Sequence, residues 1–175
     1  KFGRLFQKRE FLPFSVSQRS VLRRRLHSIL TNRLKILLKS DGMAPTIWGP
    51  VTTDGVNIVK WPYTGTLQQK WDIAQVGFGY YSLVTPYSGK GMAVYGPNYN
   101  ENTTIVQWPY AIGQTGREWE LRAATAGYYS IVSKYSGKCI TVLNNGPQGT
   151  NLVQNTYTGV DWQQTPDGRP GWAYY

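Results

Sequence analysis

Short apolar runs recur along this chain at a fixed interval. Ile58-Val59-Lys60-Trp61-Pro62-Tyr63 returns 47 residues later as Ile105-Val106-Gln107-Trp108-Pro109-Tyr110, and after another 47 as Leu152-Val153-Gln154-Asn155-Thr156-Tyr157. A period that regular means one supersecondary unit used three times. Upstream, Gly79-Tyr80-Tyr81-Ser82-Leu83-Val84 reappears as Gly127-Tyr128-Tyr129-Ser130-Ile131-Val132, and Ser88-Gly89-Lys90 as Ser136-Gly137-Lys138. The first copy is worn, yet Leu34 to Leu38 falls under Tyr81 to Thr85 without a gap. Gly42, Ile47, Trp48, Gly49 and Pro50 likewise fall under Gly89, Val94, Tyr95, Gly96 and Pro97.

Within a copy, brief runs of β-branched and aromatic residues are separated by Ser-Gly, Gly-Pro, Asn-Gly and Thr-Gly, the pattern of short strands joined by tight turns. Four strands per copy are expected. In the third they are about Tyr128 to Ser133, Ile140 to Leu143, Leu152 to Asn155 and the stretch around Trp162. Each copy is read as closing on a tryptophan, at Trp71, Trp119 and Trp162. Tyr129 and Ile131 align with Tyr81 and Leu83 and with Leu34 and Ile36, so alternate positions of the first strand are apolar in every copy and define a core face. One such unit cannot bury its face alone, but three around an axis share a core and pair away most edges. The prediction is a closed all-β domain over 31–175, with repeats at about 31–75, 76–123 and 124–175, preceded by an arm over 1–30.

The order Tyr-Tyr-Ser-Ile-Val-Ser, Ser-Gly-Lys-Cys-Ile, Asn-Leu-Val-Gln and a closing Gln-x-Trp, written here as Gln69-Lys70-Trp71, resembles the ricin-type β-trefoil lectins and carbohydrate-binding modules. The resemblance spans all three repeats. It implies a β-trefoil, a non-catalytic carbohydrate-binding role, and a secreted or cell-surface location, although no signal peptide is read in this sequence. It also implies a sugar site in each repeat: an Asp two residues after the Cys-like position, an aromatic ending the third strand, and an amide pair before the closing Trp.

Carried over position by position, the aromatic is Trp61, then Trp108, then Asn155; the amides are Gln68 and Gln69, then Gly116 and Arg117, then Gly159 and Val160. The Asp is replaced by Thr46, Ala93 and Thr141. No repeat keeps the full set. A carboxylate makes charge-assisted bonds roughly twice as strong as neutral ones, so sugar binding is expected to be weak or displaced. The candidate carbohydrate-binding residues are Trp61, Gln68, Gln69, Trp108, Thr46 and Gln154. Trp61 and Trp108 serve equally well as covers of the barrel rim, and Trp71, Trp119 and Trp162 read as core. Tyr87, Tyr95, Tyr99 and Tyr135 lie near turns and offer other stacking surfaces. Asn102-Thr103-Thr104 is a glycosylation sequon, a triplet common by chance.

Charge changes the picture at the N-terminus. Residues 1–40 hold eleven Lys and Arg against Glu10 alone, a net +10, while residues 41–175 hold eight of each sign. Leu22, Leu26, Ile29 and Leu30 fall at helical spacing, with Arg23, Arg24, Arg25 and His27 mostly opposite, which predicts a short cationic helix over 20–30. Before it, Phe2, Leu5, Phe6, Phe11, Leu12, Phe14 and Val16 alternate irregularly with Lys1, Arg4, Lys8, Arg9 and Arg19, as an extended segment would. Arg4, Lys8, Arg9, Arg19, Arg23, Arg24 and Arg25 are therefore candidate partner-binding residues. Neighbouring protein subunits, nucleic acid, an anionic lipid surface, a transit-peptide role and a solvated tail all fit that composition. The alternative function is thus a structural subunit of a larger assembly, anchored by the arm. The chain opens on Lys rather than Met, as a processed or truncated start would.

Catalysis has little support. His27 is the sole histidine and Cys139 the sole cysteine, so neither a Ser-His-acid triad nor a thiolate metal site can be built in the repeats, and no cofactor is expected. Cys139 reads as a small buried hydrophobe, because the position where relatives place its partner is Tyr157. Glu118 and Glu120 flank Trp119 at a spacing a glycosidase could use, and read as its solvated edge. No run of about 18 apolar residues is present to form a membrane-spanning helix.

Overall fold

The computed structural model describes residues 32–96, 98–124 and 127–166; the basic arm expected over 1–30, with its helix, lies outside them. Repeat 1 supplies β1 (Asn32–Lys35), β2 (Ala44–Ile47), β3 (Ile58–Trp61) and β4 (Lys70–Gly77). Repeat 2 supplies β5 (Tyr80–Val84), β6 (Gly91–Val94), β7 (Thr103–Trp108) and β8 (Trp119–Ala123). Repeat 3 supplies β9 (Tyr128–Ser133), β10 (Cys139–Val142), β11 (Leu152–Asn155) and β12 (Thr165–Pro166). In each, the second and third strands form an antiparallel hairpin in matching register: Ala44 opposes Trp61, Gly91 opposes Trp108 and Cys139 opposes Asn155. The outer strands pair in the sequence β1-β4-β5-β8-β9-β12. Lys39 N–H donates to Gln164 O at 2.9 Å and joins the two ends of that series, as Lys134 N–H does to Glu118 O at 2.9 Å between repeats 3 and 2. This is a β-trefoil.

The pseudo-threefold axis is visible in single hydrogen bonds. Gly55 N–H donates to Gln107 O at 3.0 Å, Asn102 N–H to Gln154 O at 3.0 Å, and Gly149 N–H to Lys60 O at 2.9 Å. Each bond leaves one repeat for the next, and the third closes the ring. The three donors sit at φ of +79°, +59° and +86°, a region open to glycine and tolerated by asparagine.

Burial follows the alternation expected of half-buried strands. Leu34, Ile36, Leu83 and Ile131 are buried with Ile47, Ile58, Met92, Ile105, Ile140 and Leu152 in one shared cluster, against which Tyr81 packs. Trp71 and Trp119 lie at its centre with no exposed surface, and their indole N–H groups donate to Pro45 O at 3.2 Å and Met92 O at 3.0 Å. Those two carbonyls are themselves 47 residues apart.

Trp162 does not complete that set. Leu34 opposes Trp71 and Tyr81 opposes Trp119, while the third equivalent, Tyr129, opposes Thr165. The fourth strand of repeat 3 therefore begins at Thr165, and Trp162 lies in the 3-10 turn Asp161–Gln163 that precedes it. The interval that carries Ile58 onto Leu152 also carries Gln69-Lys70-Trp71 onto Gln163-Gln164-Thr165. Matching the nearest tryptophan broke that register by three residues.

Candidate functional site

The site begins where the hairpins meet the 3-10 turns. In repeat 1, Trp48 directly follows β2 and Trp61 ends β3, and their rings meet edge to face at 5.7 Å; in repeat 2, Tyr95 and Trp108 repeat the arrangement at 6.4 Å. The interplanar angle is 66° in both pairs. Trp48 and Tyr95 are 51% and 55% exposed, so an apolar ring face is open to solvent beside each strand-end tryptophan. A Cβ on Gly149 would lie 3.7 Å from Trp61, and one on Gly55 would lie 3.4 Å from Trp108. Each indole thus rests on the bare backbone of the repeat that bonds to its strand.

Two clefts result. The first, about 410 Å³, is lined by Thr46, Trp48, Trp61, Thr64, Thr66 and Gln68, among others. The second, about 520 Å³, is lined by Tyr95, Trp108, Gln114, Thr115, Arg117 and Tyr135. Tyr135 comes from repeat 3 and stacks on Tyr99 with ring centres 4.6 Å apart, extending the aromatic wall.

The sequence candidates divide between the cleft and its support. Trp61, Gln68 and Trp108 reach the cleft surfaces, and Gln68 forms no hydrogen bond among the described residues. Gln69 is 1% exposed, and every polar atom of its amide is spent: Oε1 accepts from Thr64 N, Thr64 Oγ1 and Gly65 N, while Nε2 donates to Pro62 O and Thr46 Oγ1. Thr46 in turn donates its hydroxyl to Ala44 O. Both residues therefore line the cleft with their polar groups already committed to the turn, and offer a ligand little. Thr141 is buried with its hydroxyl unpaired, and Ala93 is buried.

Gln154 is corrected outright. It has no exposed surface, and its Nε2 donates to Asn98 O and Asn100 O while Oε1 accepts from Ser136 Oγ at 2.7 Å. Gln107 does the same with Val51 O, Thr53 O and Ser88 Oγ. These glutamines stitch consecutive repeats together. At the equivalent place repeat 1 substitutes an ion pair, with Lys60 Nζ 2.8 Å from Asp41 Oδ2. Burial alone would raise the Asp41 carboxyl, but Lys60 and the Met43 N–H outweigh it and hold it below the ordinary range.

In repeat 3 the turn amide is Gln163, not Gly159 or Val160: it accepts from Thr158 N and donates to Thr156 O, as Gln69 does with Thr64 and Pro62. Arg117 holds that position in repeat 2 and donates through Nη1 to Pro109 O. Asn155, in the place of the tryptophans, exchanges hydrogen bonds with Asn102 instead of facing a cleft. Glu118 is not a solvated edge of Trp119. It is 1% exposed, pairs with Lys134 at 2.6 Å and accepts from Gly113 N; burial pushes its carboxyl up, and these two donors bring it below the usual range. Glu120 pairs with Arg122 at 2.7 Å. Cys139 is buried, its thiol pushed up to about 12 chiefly by burial, and its Sγ donates to Asn155 O.

Tyr95 reads from the sequence as a stacking surface and Trp48 does not, yet both rings lie against a strand-end tryptophan. Trp48 aligns with Tyr95 at the shared interval, and that pairing of two aromatics on a turn was the available signal.

The comparisons agree with this fold. The family model described as a ricin-type beta-trefoil lectin domain-like matches residues 28–108 and 77–155. A designed threefold-symmetric protein, ThreeFoil, is 32% identical with a TM-score of 0.74, over 77% of this chain and 96% of that one. The exo-beta-1,3-galactanase 1,3Gal43A from Clostridium thermocellum is 26% identical with a TM-score of 0.73 over 78% of this chain, which spans only 30% of that enzyme. The C-half of the earthworm R-type lectin, solved with GalNAc, shares the fold at 14% identity and a TM-score of 0.61, over 77% of this chain and 95% of that one. No curated protein matches the chain. With the matched residues spanning 28–155, this chain belongs to the ricin-type β-trefoil lectin-like family.

Proposed function

We propose that the domain is a non-catalytic glycan-binding module with two weak sites, one in each of the first two repeats. The observation that carries this reading is the duplicated aromatic pair, Trp48 with Trp61 and Tyr95 with Trp108, each walling an open cleft. An indole face offers a sugar's C–H surface a flat apolar partner, and a few polar groups beside it fix the hydroxyls. In repeat 1 those groups are Gln68 and Thr66. Binding is weak because no carboxylate stands among the residues lining either cleft, and because the Thr46 hydroxyl is already committed to Ala44 O and Gln69. Titration with neutral mono- and disaccharides, read on tryptophan fluorescence, should give millimolar dissociation constants that are lost on Trp61→Ala and Trp108→Ala together.

A second reading rests on the charge partition, with the whole net +10 in residues 1–40. In it, residues 1–30 dock the trefoil, whose residues 41–175 carry no net charge, to neighbouring subunits or an anionic partner, and the trefoil displays a glycan-binding face. Light scattering that finds a monomer at every concentration, with no mobility change on adding nucleic acid or anionic vesicles, removes this reading and leaves the first intact.

A further inference from the structure

The two clefts differ in one residue that the threefold makes comparable. Gln69 and Arg117 occupy the same step of their 3-10 turns and make the same structural bond, to Pro62 O and Pro109 O. The amide of Gln69 is exhausted by that work. A guanidinium carries five N–H donors, and Arg117 spends those of Nη1 on Pro109 O and Gln114 Oε1. Nε and Nη2 remain, as a planar fork of the kind that grips a carboxylate or sulfate in two parallel bonds.

The cation is also short of counter-charge. Among the described residues no carboxylate lies within ion-pair distance of Arg117; Asp54 is the acid whose field it feels, and Asp54 is itself paired with Lys90 at 3.0 Å. Arg117 is half-buried and lines the cleft, with its guanidinium carbon 6.0 Å from the centre of the Trp108 ring. A ring lying on Trp108 would carry its substituents past the free fork. The residues lining the first cleft include no Lys or Arg.

We infer that the repeat-2 cleft selects a sugar bearing an anionic substituent, a carboxylate or a sulfate, held by Arg117 while the ring stacks on Trp108, whereas the repeat-1 cleft takes neutral rings. The inference rests on the glycan-binding reading above and adds a ligand class to one of its sites.

The test uses the full chain and two pairs of ligands, methyl glucuronide against methyl glucoside and galactose 6-sulfate against galactose, with the indole N–H resonances of Trp61 and Trp108 followed by NMR. The acidic member of at least one pair should shift Trp108 with a dissociation constant on the order of tenfold lower than its neutral partner. Which pair shows the preference names the substituent. Trp61 should not discriminate. Arg117→Gln copies the repeat-1 residue and keeps the bond to Pro109, so the fold should hold while the preference falls to parity; Arg117→Lys should retain part of it. A preference that survives Arg117→Gln, an acidic sugar that moves only resonances of the basic arm, or neutral sugars that shift Trp108 as strongly as acidic ones would overturn the inference. If no sugar of either kind shifts Trp61 or Trp108, the glycan-binding reading itself falls.

Discussion

Asn155 Nδ2 donates to Asn102 Oδ1 at 3.0 Å, and Asn155 Oδ1 accepts the Asn102 backbone N–H at 2.6 Å. The pair stands where Trp61 rests on Gly149 and Trp108 on Gly55. Repeat 3 has thus exchanged an indole on a glycine for two asparagines that satisfy each other across a repeat boundary. Both members had to change, because an indole at 155 would collide with the Asn102 side chain and a lone Asn155 would lose its partner.

The exchange should be reversible only as a pair. Asn155→Trp alone is expected to destabilise by about 1–3 kcal/mol, through crowding and the loss of both bonds. Adding Asn102→Gly should recover most of that loss and create a third half-buried rim tryptophan, equivalent to Trp61 and Trp108. Thermal unfolding of the three variants, arranged as a double-mutant cycle, checks the coupling.

Tryptophans of two kinds should respond oppositely. Trp71→Ala removes a fully buried side chain and its bond to Pro45 O, and should cost about 3–5 kcal/mol in denaturant unfolding. Trp61→Ala, at a half-buried rim position, should cost much less while abolishing sugar binding in the first cleft. A Trp61 variant as unstable as the Trp71 variant would mark it as core.

The Asp41–Lys60 pair replaces the Ser88–Gln107 and Ser136–Gln154 links of the other repeats. Asp41→Asn should cost about 3 kcal/mol, because it leaves the buried Lys60 ammonium without its partner. Asp41→Ser with Lys60→Gln should restore much of the loss by installing the arrangement of the sister repeats. Urea unfolding midpoints of the single and double variants decide the matter.

Acid should loosen the fold at identifiable places. The Asp41, Glu101 and Glu118 carboxyls are all held below their ordinary range: burial opposes this at Asp41 and Glu118, where Lys60 and Lys134 prevail, and at Glu101 the bond from Lys138 is the largest cause. A carboxyl depressed in the folded state contributes stability above its unfolded value, about 4, and loses it as pH falls through the folded value. Unfolding temperature should be flat from pH 7 to about 5 and drop below about 4. Glu118→Gln should lower the neutral plateau and flatten that drop.

The interval of 47 residues made the trefoil legible, because hairpin register and core positions are fixed by alternation within a few residues of each other. What stayed hidden depends on contacts between repeats. Gln154 reads as a sugar-binding candidate, and Gln107 shows nothing beyond the repeat, until their amides are seen bonded to carbonyls 54 and 56 residues away. Glu118 beside Trp119 reads as solvated for the same reason, since Lys134 lies in the following repeat. Thr165 was hidden by a nearby tryptophan that supplies the motif's closing residue, without its glutamine, three positions out of register. Trp61 and Trp108 were legible as candidates, whereas Trp48 became one only when its ring was found against Trp61.

Sugar titration of the wild-type domain beside Trp61→Ala, Trp108→Ala and the double variant bears most directly on the two-cleft account. Two-site millimolar binding, reduced to one site by either single change and to none by both, is the predicted result. Undiminished binding in the double variant, with the fold intact, would contradict it.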